Sequence, residues 1–441
     1  MTRAGHTATT HDSTATDTSP GPVQAGERLG VLDAIRGMAL VGILLANLMA
    51  FFGVDLMNEE ERRAIAGREL GEAVLFGINW LVEGKFYSVF SILLGIGFAL
   101  QCQRALARGS SRSEFDRFFR RRMSVLIGIG LLHMFVVWCG DILTLYGVMG
   151  LLLPFLARGR GTTRAAWIVV LLCVPFATHL LVYATEGQVD PRVPFAGAGQ
   201  SAREALGGGD RSSLELFAEG GWADYYAWNT GFAVARPGSY LLGGRPAHVL
   251  ALFLIGAWIG TFLLPRLSSL RRSLHVTAVL GAVVGLPTSF LYAVNKAEGY
   301  PPLLSTEGLT QTALYAVGTT PLALSYLALA VLCWRKPTTR GLLLWFVPLG
   351  RMALSVYVSQ SLIQLAVFSG GALGLAARSP STALLPIAAA AILIPQRYAC
   401  VWWLGRYDQG PLEWVWRRLT YRKPANRLVA GSTSTSGDDQ T

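Results

Sequence analysis

The sequence predicts an all-α integral membrane protein, a bundle of about ten transmembrane helices with both termini cytoplasmic. Three observations predict it. The chain has 441 residues, 52% hydrophobic and only 15% charged, with a mean hydropathy of +0.42, whereas soluble domains carry about 25% charged residues. Many windows stay apolar over the roughly 20 residues needed to cross a hydrocarbon core of about 30 Å. The alternation of a membrane β-barrel is absent.

In chain order the expected spans are Ala34–Phe52, Phe86–Gln103, Met123–Cys139, Ile142–Leu156, Ala165–Tyr183, Ala247–Leu264, Leu274–Val294, Thr312–Trp334, Arg351–Phe368 and Thr382–Val401. Residues 1–26, rich in Ser, Thr and Ala, and residues 425–441 read as disordered cytoplasmic tails around a helical domain of 27–424. The net charge of +11 does not point to nucleic acid, because the arginines gather in short segments between apolar runs. The densest is "RALARGSSRSEFDRFFRRR", Arg104 to Arg122; others follow the fourth, sixth, eighth and tenth spans. The positive-inside rule puts all of them in the cytoplasm. The segment Glu186–Arg245, with "GGWADYYAWNTG", is then an extracytoplasmic loop expected to cap the bundle or, as the second reading, to help bind a substrate.

Cys102, Cys139, Cys173, Cys333 and Cys400 lie in or beside apolar runs, without CxxC or Cys/His metal spacing, so no metal site is expected. The polar residues inside spans are more informative. Asp33 suits a helix N-cap and Arg36 can pair with it at i,i+3. Asn47 needs partners in hydrocarbon, so it either joins helices or contacts substrate. His133, about 15 Å along a helix from Met123, is a candidate general base, or else makes an interhelical hydrogen bond. Asp141 lies eight residues on, about 12 Å along a helix. In "CGD" it reads as a hairpin residue capping the fourth span and not as the partner of His133.

Glu83, Lys85 and Tyr87 open the second span on the outer side and could line a polar vestibule; Gly95 and Gly97 permit close helix contact. In "GRMALSVYVSQSLIQLAVF", Arg351, Ser355 and Ser359 make one stripe and Tyr357, Gln360 and Gln364 another. A helix polar on two faces belongs inside the bundle, as a cavity wall.

The motifs "RLGVLDAIRGMALVGILLANL", "KFYSVFSILLGIGFALQ", "GLLHMFVVWCGDILTLYGVMGLLLP", "LGRMALSVYVSQSLI" and "GPLEWVWRRLTY" resemble, in that order, the YeiB-like family of bacterial inner-membrane proteins, a domain of unknown function. That family looks like a branch of the transmembrane acyltransferases that include heparan-α-glucosaminide N-acetyltransferase. The resemblance implies a multi-pass protein of the bacterial cytoplasmic membrane. Asp33, Arg36-Gly37 and Asn47 fit the pattern of the first core span, and Tyr357 resembles a tyrosine of a late span. The acetyltransferases carry a histidine after that first span, whereas "LMAFFGVDLMNEEERRA" has none; His133 takes its place if the bundle brings it near Asn47.

The leading expectation is transfer of an acyl group from cytoplasmic acyl-CoA, a co-substrate and not a resident cofactor, to an extracytoplasmic hydroxyl or amine. Arg36 with Arg120, Arg121 and Arg122 would hold the CoA phosphates, and His133 would be the base, with Asn47 orienting substrate or stabilising the oxyanion. Asp33, Glu83, Lys85, Tyr87, Asp141, Arg351, Tyr357 and Gln360 would contact substrates. The alternatives are a small-molecule transporter and a non-catalytic membrane protein. The bilayer is the expected partner, nucleic acid is not, and the oligomeric state stays open.

Overall fold

The computed structural model describes residues 30–56, 69–299, 301–378 and 380–421, and among these every regular element is helical. Both expected tails and all of "NEEERRA" lie outside the described residues.

Helix α1 is Gly30–Phe51; α2 (Glu69–Leu81) and α3 (Lys85–Ala107) follow, joined by a turn in which Gly84 has φ 82°. Next, α4 (Arg112–Leu132) runs through a π turn, His133–Val137, into an extended Trp138. The hairpin leads to α5 (Leu143–Leu156), and α6 is Gly161–Ala184. Helices α7 (Arg192–Ala205) and α8 (Trp222–Leu242) precede α9, Arg245–Trp258. Two long helices, α10 (Arg271–Glu298) and α11 (Thr306–Arg335), are followed by the short α12 (Pro337–Leu344) and α13 (Val347–Arg351). Finally come α14 (Ala353–Phe368), α15 (Leu385–Leu404) and α16 (Pro411–Thr420).

Among the described residues seven segments are long and apolar enough to cross a membrane: α1, α2 with α3, α6, α9 with its extension, α10, α11 and α15. Ten spans were expected, and the third, fourth and ninth fall short for definite reasons. The basic stretch once read as a loop is helical from Arg112, where Ser111 and Glu114 form a reciprocal capping box. The third expected span therefore begins three turns before Met123 and carries its arginines within the helix. With 14 and 16 residues, α5 and α14 reach only about 21 and 24 Å. Of these three, α5 and α14 are more than half buried and α4 buries one face while exposing Leu131 and Leu132; α6 and α10 turn outward, with 17% and 22% of their apolar windows buried.

The expected loop Glu186–Arg245 contains α7 and α8 packed on each other, and α8 is part of the core. Tyr225 and Asn229 of α8 are fully buried. Asn229 accepts from the Cys139 N–H at 2.6 Å and donates to the Met134 and Phe135 carbonyls. Tyr225 donates to the Val137 carbonyl, and Tyr240 to that of Asp141. Irregular backbone at residues 133–142 leaves groups that no helix satisfies, and in an apolar interior they need protein partners. Helix α8 supplies them.

Two glycine pairs set the closest helix crossings. A Cβ on Gly350 would sit 1.8 Å from the Asp33 carbonyl oxygen, and one on Gly37 would sit 2.1 Å from that of Phe346, so α1 and α13 touch backbone to backbone. Gly95 and Gly256 do the same for α3 and α9. Gly97 departs from expectation: its nearest neighbour is the Gln101 side chain at 3.8 Å, and it faces a cavity, not a helix.

Candidate functional site

A cavity of about 320 Å³ enters the bundle where α1 begins, α3 ends and α16 crosses below. Its mouth carries Asp33, Arg36, Arg104, Arg122, Arg351 and Arg417. Its walls are apolar, from Leu40 and Ile43 of α1, Leu93 of α3 and Met123 and Leu126 of α4. Along α1 the lining runs from Leu32 to Ile43, a depth of about 16 Å. Ile142, Leu143, Tyr146 and Tyr357, from α5 and α14 and the residue preceding α5, form the inner part. The elements too short or too basic to count as spans thus wall the cavity together with α1 and α3.

At the mouth, Arg36 pairs with Asp33 at 2.7 Å and reaches the Gly350 carbonyl at 3.4 Å. The i,i+3 pair expected from the sequence forms, but it opens onto the cavity. Arg122 lies over Trp416, 3.8 Å from the ring centroid, and its carbonyl accepts from the Trp416 indole at 2.9 Å. Arg120 and Arg121 are exposed and line no part of the cavity, so the structure brings Arg122 alone of that trio to Arg36. Arg351 is half-buried at the rim and contacts the Asp408 carbonyl at 3.4 Å.

Helix α14 begins at this mouth without a side-chain cap of its own. Glu413 of α16 supplies one, accepting from the Leu354 N–H at 2.6 Å, the Ser355 N–H at 3.2 Å and the Ser355 hydroxyl. Such a carboxylate meets the positive end of the helix dipole. Burial dominates all the same and pushes the Glu413 carboxyl above its ordinary range, against the lowering effect of its donors.

Behind the inner end stands an arrangement the sequence did not predict. His133 Nδ1 and Asp141 Oδ1 are 3.0 Å apart, and the two residues are 2% and 1% exposed. The expectation that these side chains do not meet is overturned. It measured eight residues along a straight helix, whereas the chain leaves the helix through the π turn and doubles back. The capping role holds alongside, since Asp141 Oδ2 accepts from the Thr144 N–H at 2.7 Å. His133 Nε2 is buried with no hydrogen-bond partner. The ring centroid of Tyr357 lies 5.2 Å from that of His133, so one aromatic ring separates the pair from the cavity.

Other candidates go elsewhere. Asn47 is half-buried on α1 and is neither in the cavity lining nor hydrogen-bonded to His133. Gln360 turns from the cavity to donate to Gln396 of α15 at 3.1 Å, while Gln364 donates to the Gln360 carbonyl. Of that stripe only Tyr357 faces the cavity. Glu83, Lys85 and Tyr87 lie at the far end of α3, where Tyr87 bonds His248 at 2.8 Å and Glu83 pairs with Lys296 at 2.8 Å. Sequence reasoning passed over His248, Arg245 and Tyr146; the available signal for each was a polar group within two turns of the start of an apolar run. Tyr146 accepts from Ser91 and donates to the Tyr87 carbonyl, both at 2.9 Å. The backbone at Tyr87 thus parts the cavity from the far polar cluster.

Residues 260–423 match the family model described as "Protein of unknown function (DUF418)". The chain is 27% identical over 410 residues to the "Uncharacterized protein YxaH" of Bacillus subtilis (strain 168), covering 91% of this chain and 96% of that one. It is 28% identical over 409 residues to the "Uncharacterized protein YeiB" of Escherichia coli (strain K12), covering 90% and 97%. An "Uncharacterized 39.9 kDa protein in amylase 3'region" of Bacillus acidopullulyticus is 28% identical over 410 residues, covering 91% and 96%. These relatives align over nearly their whole length and the five motifs occur in order, so the chain is similar throughout to the YeiB-like proteins.

Proposed function

We propose that this chain is an acyltransferase of the cytoplasmic membrane, taking an acyl group from acyl-CoA on the cytoplasmic side and passing it to a hydroxyl or amine that arrives from the opposite side. One observation carries the reading: an arginine-rimmed apolar cavity ends at Tyr357, directly in front of a buried His–Asp pair. Guanidinium groups suit phosphate through bidentate, permanently charged hydrogen bonds. An apolar shaft about 16 Å deep suits a narrow arm bearing a thioester.

The chemistry follows from the pair. With Nδ1–H donating to the Asp141 carboxylate, His133 Nε2 carries the lone pair and can accept the proton of the acceptor group. The freed oxygen or nitrogen attacks the thioester carbonyl, and collapse expels the CoA thiolate, which takes the proton back from Nε2. Asp141 stabilises the imidazolium in between. Tyr357 must turn aside or lend its hydroxyl, because its ring stands between base and cavity.

The test is titration of acetyl-CoA and palmitoyl-CoA into the protein in nanodiscs. Arg36→Ala and Arg122→Ala should each weaken binding about 10- to 100-fold, as loss of a charge-assisted hydrogen bond does. His133→Ala and Asp141→Asn should keep binding but slow hydrolysis of the bound thioester, with water standing in for the acceptor, by about 10²- to 10⁴-fold. A folded wild-type protein that binds neither donor would sink the proposal and put transport first.

A further inference from the structure

At the end of the bundle opposite the cavity mouth, charged side chains gather where α2 meets α3, α8 meets α9, and α10 ends. Glu83 pairs with Lys296 at 2.8 Å and also lies within Coulomb range of Lys85 and Arg245. Arg236 is within range of Arg245 and donates to the Tyr240 hydroxyl at 2.8 Å. Among the described residues these contacts join four cations, Lys85, Arg236, Arg245 and Lys296, to one carboxylate, Glu83. Asp141 is close by, but its carboxylate is turned to His133 and Thr144, and only its backbone carbonyl meets Tyr240. Excess positive charge in a partly desolvated place is costly without a counter-charge.

Arg245 shows where a counter-charge would sit. It is the first residue of α9, a helix whose N-terminus has no side-chain cap. Its guanidinium lies over Tyr87 at 5.2 Å and Tyr240 at 5.6 Å. Those rings hold its faces, and among the described residues no acceptor takes its N–H edges. Arg245, Arg236 and Lys296 are half-buried, so a ligand can reach them. Cations carried by α8, α9 and α10 around the uncapped start of α9 suit a tetrahedral, multiply charged anion, whose oxygens would take the Arg245 N–H edges.

We infer that this cluster binds a phosphate group, carried by a ligand that enters from the end opposite the cavity mouth. The inference holds whether or not the cavity takes an acyl donor. Two sources share the chemistry, a phospholipid headgroup and a soluble phosphate ester.

The experiment is thermal unfolding of the full chain in detergent with rising inorganic phosphate, comparing wild type, Arg245→Gln, Lys296→Gln and Arg122→Gln. Wild type should show a saturable rise in Tm. Arg245→Gln should shift the half-saturating phosphate of that response at least tenfold upward; if Arg245→Gln does not fold, Lys296→Gln carries the same expectation. No saturable response in folded wild type overturns the inference. So does a response lost in Arg122→Gln and kept in Arg245→Gln, which would move the phosphate to the cavity mouth and leave the proposed function intact. Phosphorus analysis separates the sources: phospholipid that co-purifies with wild type and is lost from Arg245→Gln assigns the headgroup, and a phosphate response without bound lipid assigns a soluble ester.

Discussion

Glu413 ties the last described helix to the cavity mouth through one buried carboxyl, which makes it sensitive to pH. Burial raises its folded-state pKa above the unfolded value near 4.5, so the protonated carboxyl is the form that folding favours. Its contribution is fully present below the unfolded pKa and is lost as pH rises through the raised folded pKa. We expect wild-type Tm to fall across that window more than in Glu413→Gln, where position 413 does not titrate; equal slopes in the two proteins would refute the assignment. Glu413 was unreadable in the sequence, since its partner Ser355 is 58 residues away. Asp33 with Arg36 was readable, because i,i+3 proximity is a property of any helix. His133 with Asp141 was misread because a π turn gives no pattern that residue spacing reveals.

Among the helices, the division of labour runs against apolarity. The most apolar long helix, α6, lies at the periphery, while the shorter α5 and α14 and the basic α4 wall the cavity. A helix that faces lipid must be apolar along about 30 Å, and one surrounded by protein need not be. Gly97 and Gly95, two residues apart on α3, separate cavity from packing. Gly97→Leu should place a side chain in the cavity and weaken acyl-CoA binding at least tenfold while shifting Tm little, because no atom within 3.8 Å obstructs its Cβ. Gly95→Ala should lower stability by about 1–3 kcal/mol or more, because its Cβ would lie 2.1 Å from the Phe253 carbonyl. Calorimetry and binding on the two variants distinguish these outcomes. Paired glycines were visible in the sequence; which one faced a helix was not, since each lies on a different side of α3.

For the whole molecule, the arginine distribution predicts that the cavity mouth faces the cytoplasm. Arg121→Cys, exposed near that mouth, should react with a membrane-impermeant maleimide only after cells are permeabilised, and Ser201→Cys on α7 should react in intact cells, in a background lacking Cys173 and Cys333. The reverse pattern would invert the protein and the proposed direction of transfer. Composition and hydropathy alone determined that the chain is a helical membrane protein, because burial in lipid demands long apolar helices whose backbone groups are satisfied within the segment. Motif order alone pointed to the YeiB-like proteins as relatives. Only the tertiary structure decided that Arg122, and not its two neighbours, joins Arg36, that α8 holds the irregular hairpin, and that His133 meets Asp141 behind Tyr357. Those facts depend on which face each helix turns inward and on contacts between segments far apart in sequence, and local periodicity carries no information about either.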